Sequence, residues 1–185
     1  MDLEGKVVLV TGAGSGIGKA AALRLARAGA TIAVLGRTAD DLAVTADQIV
    51  ASGGRAITVE ADISQPDEMQ AAIAQIEEKL KRLDGVFANA GINGVWAPIA
   101  DLEPEEWSHT LTVNLMGTFL TVKYALPLLK VRGGSVIITS SVNGTRIFSN
   151  VGASAYSVSK AGQVAFAKMA ALELAKYKIR VNVIC

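Results

Sequence analysis

Apolar runs of strand length alternate with segments of helical periodicity along the chain. The runs are rich in β-branched residues and are apolar on successive positions, which is typical of strands buried in a parallel sheet. They lie at residues 6–10, 31–35, 55–59, 85–88, 135–141 and 178–184. After Pro66, apolar residues recur at helical spacing, at Met69, Ile73, Ile76 and Leu80. The alternation predicts a doubly wound parallel sheet with helices on both faces, a three-layer α/β/α arrangement.

A glycine-rich loop separates the first predicted strand from the first helix. Its glycines are Gly12, Gly14, Gly16 and Gly18, in the pattern Thr-Gly-x-x-x-Gly-x-Gly. This spacing differs from G-x-G-x-x-G, but the arrangement of strand, loop and helix brings backbone N–H groups to a phosphate in the same way. We expect Gly12 to make the turn, Gly16 to admit a pyrophosphate and Gly18 to let the helix pack on the strand. A turn that binds nothing needs only one or two glycines, so the loop favours a nucleotide site.

Gly36 and Arg37 follow the second predicted strand, where a dinucleotide fold contacts the adenosine ribose. An acid there would accept a hydrogen bond from the 2′-hydroxyl and repel a 2′-phosphate, whereas arginine can pair with that phosphate. No acid directly follows the strand, so the sequence favours NADP(H), with NAD(H) as the alternative. A guanidinium that is only solvated, or that stacks on adenine without discriminating, also fits the pattern.

Polar residues also stand where later strands are predicted to end. Asp62 follows the third strand, where it could accept a hydrogen bond from an adenine amino group or simply close a turn. The segment Asn89-Ala90-Gly91 follows the fourth strand, and Ser140-Ser141 ends the fifth. Because the carboxyl ends of parallel strands share one edge of a sheet, we expect these residues to lie close together.

Two further features lie on predicted helices. Asn114 interrupts an otherwise apolar helical stretch, either as a satisfied core amide or as a kink that exposes polar groups to a site. Tyr156 and Lys160 are four positions apart and share one helical face. Such a pair can be an ordinary amphipathic contact, but a tyrosine that acts as a base needs a positive charge beside its phenolate. The accompanying glycine loop and serine-ended strand favour the functional interpretation.

Composition narrows the classes of function. The 185 residues include 18 Lys+Arg and 17 Asp+Glu, with no basic stripe of the kind that binds nucleic acid. A single histidine, His109, and a single cysteine, Cys185, argue against a metal site, an internal disulfide and a Ser-His-Asp triad. Because no apolar run reaches transmembrane length and no signal-peptide pattern opens the sequence, we expect a cytoplasmic protein that contacts neither membrane nor nucleic acid.

Taken together, the motifs resemble those of the short-chain dehydrogenase/reductase family. The matching stretches, in the family's order, are Thr11 to Gly18, Asp62, Asn89-Ala90-Gly91, Asn114, Ser140-Ser141-Val142 and Tyr156-Ser157-Val158-Ser159-Lys160. The resemblance implies a Rossmann-like fold and reversible hydride transfer between NADP(H) or NAD(H) and an alcohol or carbonyl carbon.

The resemblance also implies a role for each matching residue. Tyr156 would be the general acid/base, and Lys160 its electrostatic partner and a ribose ligand. Ser141 would position the substrate oxygen, since Val142-Asn143-Gly144 follows it as in the family, and Asn114 would hold a proton-relay water. The residues expected to bind the cofactor are Gly12, Gly14, Ser15, Gly16, Ile17, Gly18, Arg37, Asp62, Ile63, Asn89, Ala90, Gly91, Tyr156 and Lys160.

We expect residues 1–185 to form a single dinucleotide-binding domain that carries both cofactor and catalytic motifs. Family members generally continue through a substrate-covering segment and another strand, so the resemblance implies that this sequence lacks the C-terminal lid and edge strand. We expect a homodimer or homotetramer that associates through helices near 105–130 and 154–176, because more small apolar residues surround the second of these helices than one sheet face can cover. Two other functions fit: a nucleotide-binding module without turnover, and a 3-oxoacyl-(acyl-carrier-protein) reductase.

Overall fold

Six parallel strands form one sheet in the computed structural model, which describes residues 3–146 and 151–185. They are β1 (Val7–Thr11), β2 (Thr31–Gly36), β3 (Arg55–Glu60), β4 (Gly85–Ala88), β5 (Gly134–Thr139) and β6 (Ile179–Ile184). Across the sheet the order is β3-β2-β1-β4-β5-β6, with every neighbouring pair parallel. The chain builds outward from β1 to β3 and then returns to the other side of β1, so the predicted doubly wound, Rossmann-like sheet is confirmed.

Helices connect successive strands and cover both faces of the sheet. They are α1 (Gly16–Arg27), α2 (Ala39–Ala51), α3 (Pro66–Leu80), α4 (Pro104–Leu111), α5 (Gly117–Leu129) and α6 (Ser154–Leu174). A π-helical turn, Thr112–Met116, joins α4 to α5, and 3₁₀ turns cover Val142–Gly144 and Ala175–Tyr177. Within the described ranges, no helix is both long and apolar enough to cross a bilayer.

Alternate residues of β1 enter two separate cores. Leu9 packs with α3, α5 and α6 on one face, and Val8 and Val10 pack with α1 and α2 on the other. All five residues of β1 are buried, as its continuous apolar run predicts. The two cores on opposite faces confirm the predicted three-layer α/β/α arrangement.

The outer face of α6 is exposed in the single chain. Its inner face contains Gln163 and several buried alanines, whereas Val158, Met169 and Leu172 are 46%, 55% and 73% exposed. Phe119 on α5 is also 40% exposed and meets Phe166 of α6 edge to face, with 6.1 Å between ring centres. An apolar surface therefore continues from α5 onto α6.

Candidate active site

The carboxyl ends of five strands open into a cleft of about 580 Å³. Most of the predicted site residues line it: Gly12, Gly14, Ser15, Gly16, Ile17, Arg37, Asp62, Ile63, Asn89, Ala90, Gly91, Ser141, Tyr156 and Lys160. Gly18 and Asn114 do not line the cleft; each packs against residues of its wall. The structure thus brings together residues that are as far apart in sequence as Gly12 and Lys160.

The glycine loop leaves an open cradle at the start of α1. Gly12 and Gly16 have φ values of +66° and +51°, in the left-handed region that favours glycine. Among the described residues, no atom lies within 4 Å of the position that a Gly16 side chain would take, whereas a Cβ on Gly18 would lie 2.1 Å from the main-chain oxygen of Gly12. Ser15 at the N-cap makes no side-chain capping bond, and the first turn of α1 has no acid. The cradle therefore fits a phosphate group, which the uncapped helix terminus attracts.

Arg37 and Asp62 face each other at one end of the cleft. Their Nη1 and Oδ2 atoms are 3.8 Å apart, and the Arg37 side chain is 61% exposed. Asp62 also accepts hydrogen bonds from the main-chain N–H and the hydroxyl of Ser64, at 2.8 and 2.7 Å. Partial burial would raise the pKa of the Asp62 carboxyl, but these hydrogen bonds and the charge of Arg37 outweigh it and hold the pKa below its usual value. Asp62 is therefore an ionised turn acid that also pairs with Arg37.

An acid that the sequence analysis missed lines the same end of the cleft. Asp41, in the first turn of α2, packs so closely on the glycine loop that a Cβ on Gly14 would lie 2.8 Å from the Asp41 Cβ. The sequence pattern explains Asp41 as a favourable charge at a helix N-terminus, which conceals its place beside the loop. Thr38 stands at the N-cap of α2, but its side chain makes no capping hydrogen bond to the described residues.

Threonines tie the ends of β1, β4 and β5 together beneath the cleft. The Thr11 hydroxyl accepts hydrogen bonds from the main-chain N–H groups of Asn89 and Ala90, at 3.0 and 3.1 Å. The Asn89 side chain donates to the Thr11 carbonyl at 3.3 Å and accepts from the Thr139 hydroxyl at 3.1 Å. Asn89 thus spans the gap between two strands. In the sequence, Thr11 and Thr139 look like ordinary strand residues, so no sequence pattern predicts that their hydroxyls link the ends of the strands.

Lys160 is buried at the foot of the cleft. Its Nζ donates to the main-chain oxygen of Thr139 at 2.9 Å and lies 5.6 Å from the centre of the Tyr156 ring. Only 4% of Lys160 is exposed, and this burial lowers its pKa to about 8. At pH 7 the ammonium form still dominates, so the tyrosine has a cation beside it.

The two serines after β5 have different surroundings. The Ser140 hydroxyl is buried and donates to the main-chain oxygen of Lys160 at 2.8 Å. Ser141 is partly exposed, and its Oγ accepts a hydrogen bond from the N–H of Asn143 at 3.2 Å at the start of the 3₁₀ turn. Its hydroxyl can therefore still donate to a further acceptor, whereas Ser140 holds α6 in place.

Asn114 lies in the π-helical turn and is fully buried. Its side chain donates to the Ile92 carbonyl at 2.9 Å and to the Ser159 hydroxyl at 3.0 Å, and its Oδ1 accepts from the Ile92 N–H at 2.8 Å. A Cβ on Gly91 would lie 2.9 Å from Asn114 Oδ1 and 3.6 Å from Lys160 Nζ. Asn114 is thus both a satisfied amide and the centre of a helix distortion next to the lysine.

A doubly wound sheet with a glycine loop at its switch point defines the class of dinucleotide-binding α/β proteins. Residues 6–185 match the family model of short chain dehydrogenases. The chain belongs to this family, whose members use NAD(P) nucleotides. The family relationship confirms the resemblance inferred from the motifs.

Individual relatives agree with the family match. A 3beta-hydroxysteroid dehydrogenase of Mediterraneibacter gnavus is 36% identical over 180 residues, which cover 97% of this chain and 64% of that protein. A solved structure of a 3-ketoacyl-ACP reductase from Sinorhizobium meliloti 1021 is 53% identical, with a TM-score of 0.95 over 97% of this chain and 71% of that one. Carveol dehydrogenase from Mycobacterium avium, solved in complex with NAD, is 32% identical, with a TM-score of 0.91 over 98% of this chain and 70% of that one. The chain spans about two thirds of the length of these relatives.

Proposed function

We propose that the protein transfers a hydride between a nicotinamide dinucleotide and an alcohol or carbonyl carbon, using Tyr156, Lys160, Ser141 and Asn114. The observation that carries the proposal is the position of Lys160 Nζ, 5.6 Å from the centre of the Tyr156 ring at the foot of a cleft that also contains Ser141. The open cradle at Gly16 supports phosphate binding in the same cleft.

Each residue has a distinct task in this proposal. When bound, the dinucleotide supplies or accepts the hydride. In the direction of reduction, the Tyr156 hydroxyl gives its proton to the substrate oxygen, and the Lys160 ammonium stabilises the phenolate that remains. The Ser141 hydroxyl holds the same oxygen by a hydrogen bond. Asn114 would hold the relay water that returns a proton through the second acceptor position of its Oδ1, because its side-chain N–H groups already donate to Ile92 and Ser159. In the direction of oxidation Tyr156 takes the proton back.

We propose a preference for NADP(H) over NAD(H). Arg37 lines the end of the cleft where we expect the adenosine to bind, and it carries a positive charge there. Its guanidinium is exposed and can pair with a 2′-phosphate. Asp62 already pairs with Arg37, and Asp41 adds a negative charge nearby, so we expect the preference to be small.

A 3-oxoacyl thioester is a second candidate for the substrate. It is favoured by the solved 3-ketoacyl-ACP reductase, which shares 53% identity with this chain, against 36% for the hydroxysteroid dehydrogenase. A panel of 3-oxoacyl thioesters, 3-oxosteroids and cyclic ketones, each tested with both cofactors, would separate these substrates. Failure to turn over any of them, with cofactor still bound, would favour a binding module.

We propose that the single domain self-associates through the exposed apolar surface of α5 and α6. The surface includes Phe119, Met169 and Leu172, and apolar patches of this kind mark interaction sites. A homodimer or homotetramer in the cytoplasm stays a prediction.

The proposed reaction is tested by Tyr156→Phe. The change removes one hydroxyl and leaves the ring in place, so cofactor affinity should stay near that of the wild type while turnover is lost. Steady-state rates and a fluorescence titration with NADPH measure the two effects separately. Substantial activity in a folded, cofactor-bound Tyr156→Phe variant would overturn the mechanism.

A further inference from the structure

A buried glutamine on α6 contacts the distorted turn that carries Asn114. Gln163 is fully buried, and its Nε2 donates to the main-chain oxygen of Asn114 at 2.8 Å and to the Thr118 hydroxyl at 2.7 Å. The Thr118 hydroxyl in turn donates to the same Asn114 oxygen at 2.7 Å. Because a carbonyl oxygen only accepts hydrogen bonds, the amide orientation of Gln163 is fixed, with the nitrogen facing Asn114.

Gln163 works together with Ser159, one helical turn earlier on the same face of α6. The Ser159 hydroxyl accepts from the Asn114 side chain at 3.0 Å and donates to the Tyr156 carbonyl at 2.7 Å. Ser159 therefore holds the side chain of Asn114, and Gln163 holds its main chain. Both contacts come from the helix that also carries Tyr156 and Lys160.

Packing alone does not explain an amide at position 163. The neighbouring buried positions on this face of α6 include Ala167, Ala170 and Leu174. Among the described residues, Oε1 of Gln163 has no hydrogen-bond partner, and an unsatisfied buried acceptor lowers stability. An apolar side chain of similar volume would avoid that cost.

We propose that Gln163 is a positioning residue, which fixes the π-helical turn Thr112–Met116 so that Asn114 keeps its place beside Gly91 and Lys160. A π-helical turn shifts the register of the backbone hydrogen bonds, and Gln163 supplies a donor from outside the helix to a carbonyl within it. The inference rests on the proposed function, because the proposed reaction is what requires Asn114 to stay in this position.

The test compares Gln163→Met with Thr121→Val. Thr121 is a fully buried residue of α5 whose hydroxyl donates to the Gly117 carbonyl at 2.8 Å, and the hydrogen bonds that Asn114 makes to the described residues do not include it. We expect kcat to fall roughly 10- to 100-fold in Gln163→Met, since a displacement of about 1 Å can cost about 10²-fold. The dissociation constant for NADPH should change less than about twofold, and Thr121→Val should lose stability without losing kcat. A kcat within about twofold of the wild type in Gln163→Met, or an equal loss in Thr121→Val, would overturn the proposal.

A second variant keeps the shape of the side chain and makes the donor depend on pH. In Gln163→Glu an ionised carboxylate cannot donate to Asn114, whereas a protonated carboxyl can. The ratio of variant to wild-type kcat should therefore rise as the pH falls; a ratio that does not change with pH contradicts the role of a donor at this position.

Hydrogen exchange of the cofactor-free protein separates this inference from the proposed reaction. Amides of Thr112–Met116 should exchange faster in Gln163→Met than in the wild type or Thr121→Val, whether or not the protein turns over a substrate. Unchanged exchange in this turn overturns the positioning role, and loss of all turnover in the wild type overturns only the proposed reaction.

Discussion

Lys160 Nζ lies 5.6 Å from the centre of the Tyr156 ring and donates to the Thr139 carbonyl at 2.9 Å. The lysine is fixed by β5, while the tyrosine lies one turn earlier on α6. The ammonium group of Lys160 is thus held by the sheet as well as by its own helix. Because the group is buried, it should also affect how the stability of the protein depends on pH, which can be measured without a substrate.

The first prediction concerns the stability of the cofactor-free protein. Burial lowers the pKa of Lys160 to about 8 from 10.5, so between these values the unfolded chain binds more protons and stability rises with pH. The free energy of unfolding should gain about 2 kcal/mol from this group between about pH 7 and about pH 9.5. Urea denaturation at both pH values should show that Lys160→Met loses this gain, whereas Lys168→Met, on the exposed side of α6, keeps it. An undiminished gain in Lys160→Met would contradict the burial argument.

The second prediction separates two neighbouring serines. Ser141→Ala should lower kcat, because the transition state would lose about 2–4 kcal/mol of stabilisation when the hydrogen bond to the substrate oxygen is removed. Cofactor affinity should stay unchanged. Ser140→Ala should instead lower the free energy of unfolding by about 1 kcal/mol, because its hydroxyl binds the Lys160 carbonyl. Kinetics and thermal unfolding of both variants would show the contrast. The reverse pattern would assign the substrate contact to Ser140.

The third prediction concerns the choice of cofactor. Arg37→Ala should weaken NADPH binding up to about fivefold, the range of an exposed ion pair, and should leave NADH binding nearly unchanged. Asp41→Asn should shift the ratio the other way, because it removes a negative charge from the same end of the cleft. Parallel titrations with both cofactors measure the ratio, and an unchanged ratio in both variants would remove these residues from cofactor selection.

The fourth prediction concerns the glycine loop. Gly18→Ala would place a Cβ 2.1 Å from the Gly12 carbonyl, so the variant should lose about 2–3 kcal/mol of stability and most of its cofactor affinity. Gly85→Ala is the matched control, because its Cβ would meet Val8 at an ordinary 3.4 Å. Equal unfolding midpoints for the two variants would show that α1 can move away from the loop without cost.

The fifth prediction concerns self-association. Leu172→Glu on the exposed face of α6 should shift the protein towards the monomer in sedimentation experiments, because it places a charge in the proposed interface. Val50→Glu, on the exposed side of α2, should have no such effect. A wild-type protein that sediments as a monomer at micromolar concentration would contradict the proposed interface.

The order and type of the helices and strands could be predicted from the sequence. Each apolar segment follows either the pattern of a buried strand or the spacing of a helix, and turn residues mark where it ends. The strand Val7–Thr11 is apolar at nearly every position, and Pro66 starts α3 where the pattern places it. The fifth strand ends at Thr139 rather than at residue 141, so both serines lie beyond the sheet. Strand ends depend on which hydrogen bonds the neighbouring chain offers, and side-chain type does not report them.

Site residues that belong to a sequence motif could be predicted. Site residues that matter because they contact a distant segment of the chain were missed. Gly18 and Lys160 lie in recognisable patterns, and their burial follows from them. Asp41 meets the loop through a contact across 27 positions, and Gln163 meets Asn114 across 49. Helical periodicity treats Gln163 as one polar residue in an apolar helix, and only the folded chain shows what its amide binds.

The order of the strands also divides the sequence into two portions that can change separately. Arg37, Asp41 and Asp62 all come from the segment before residue 64, whereas Ser141, Tyr156 and Lys160 come from the half that follows the return to β4. Among the strands, β1 is the one that pairs with a strand of each portion, β2 on one side and β4 on the other. A graft of residues 31–62 from a relative would therefore exchange one end of the cleft as a single block, while Ile63 stays in place against Gly117 and the residues around the tyrosine keep their own contacts.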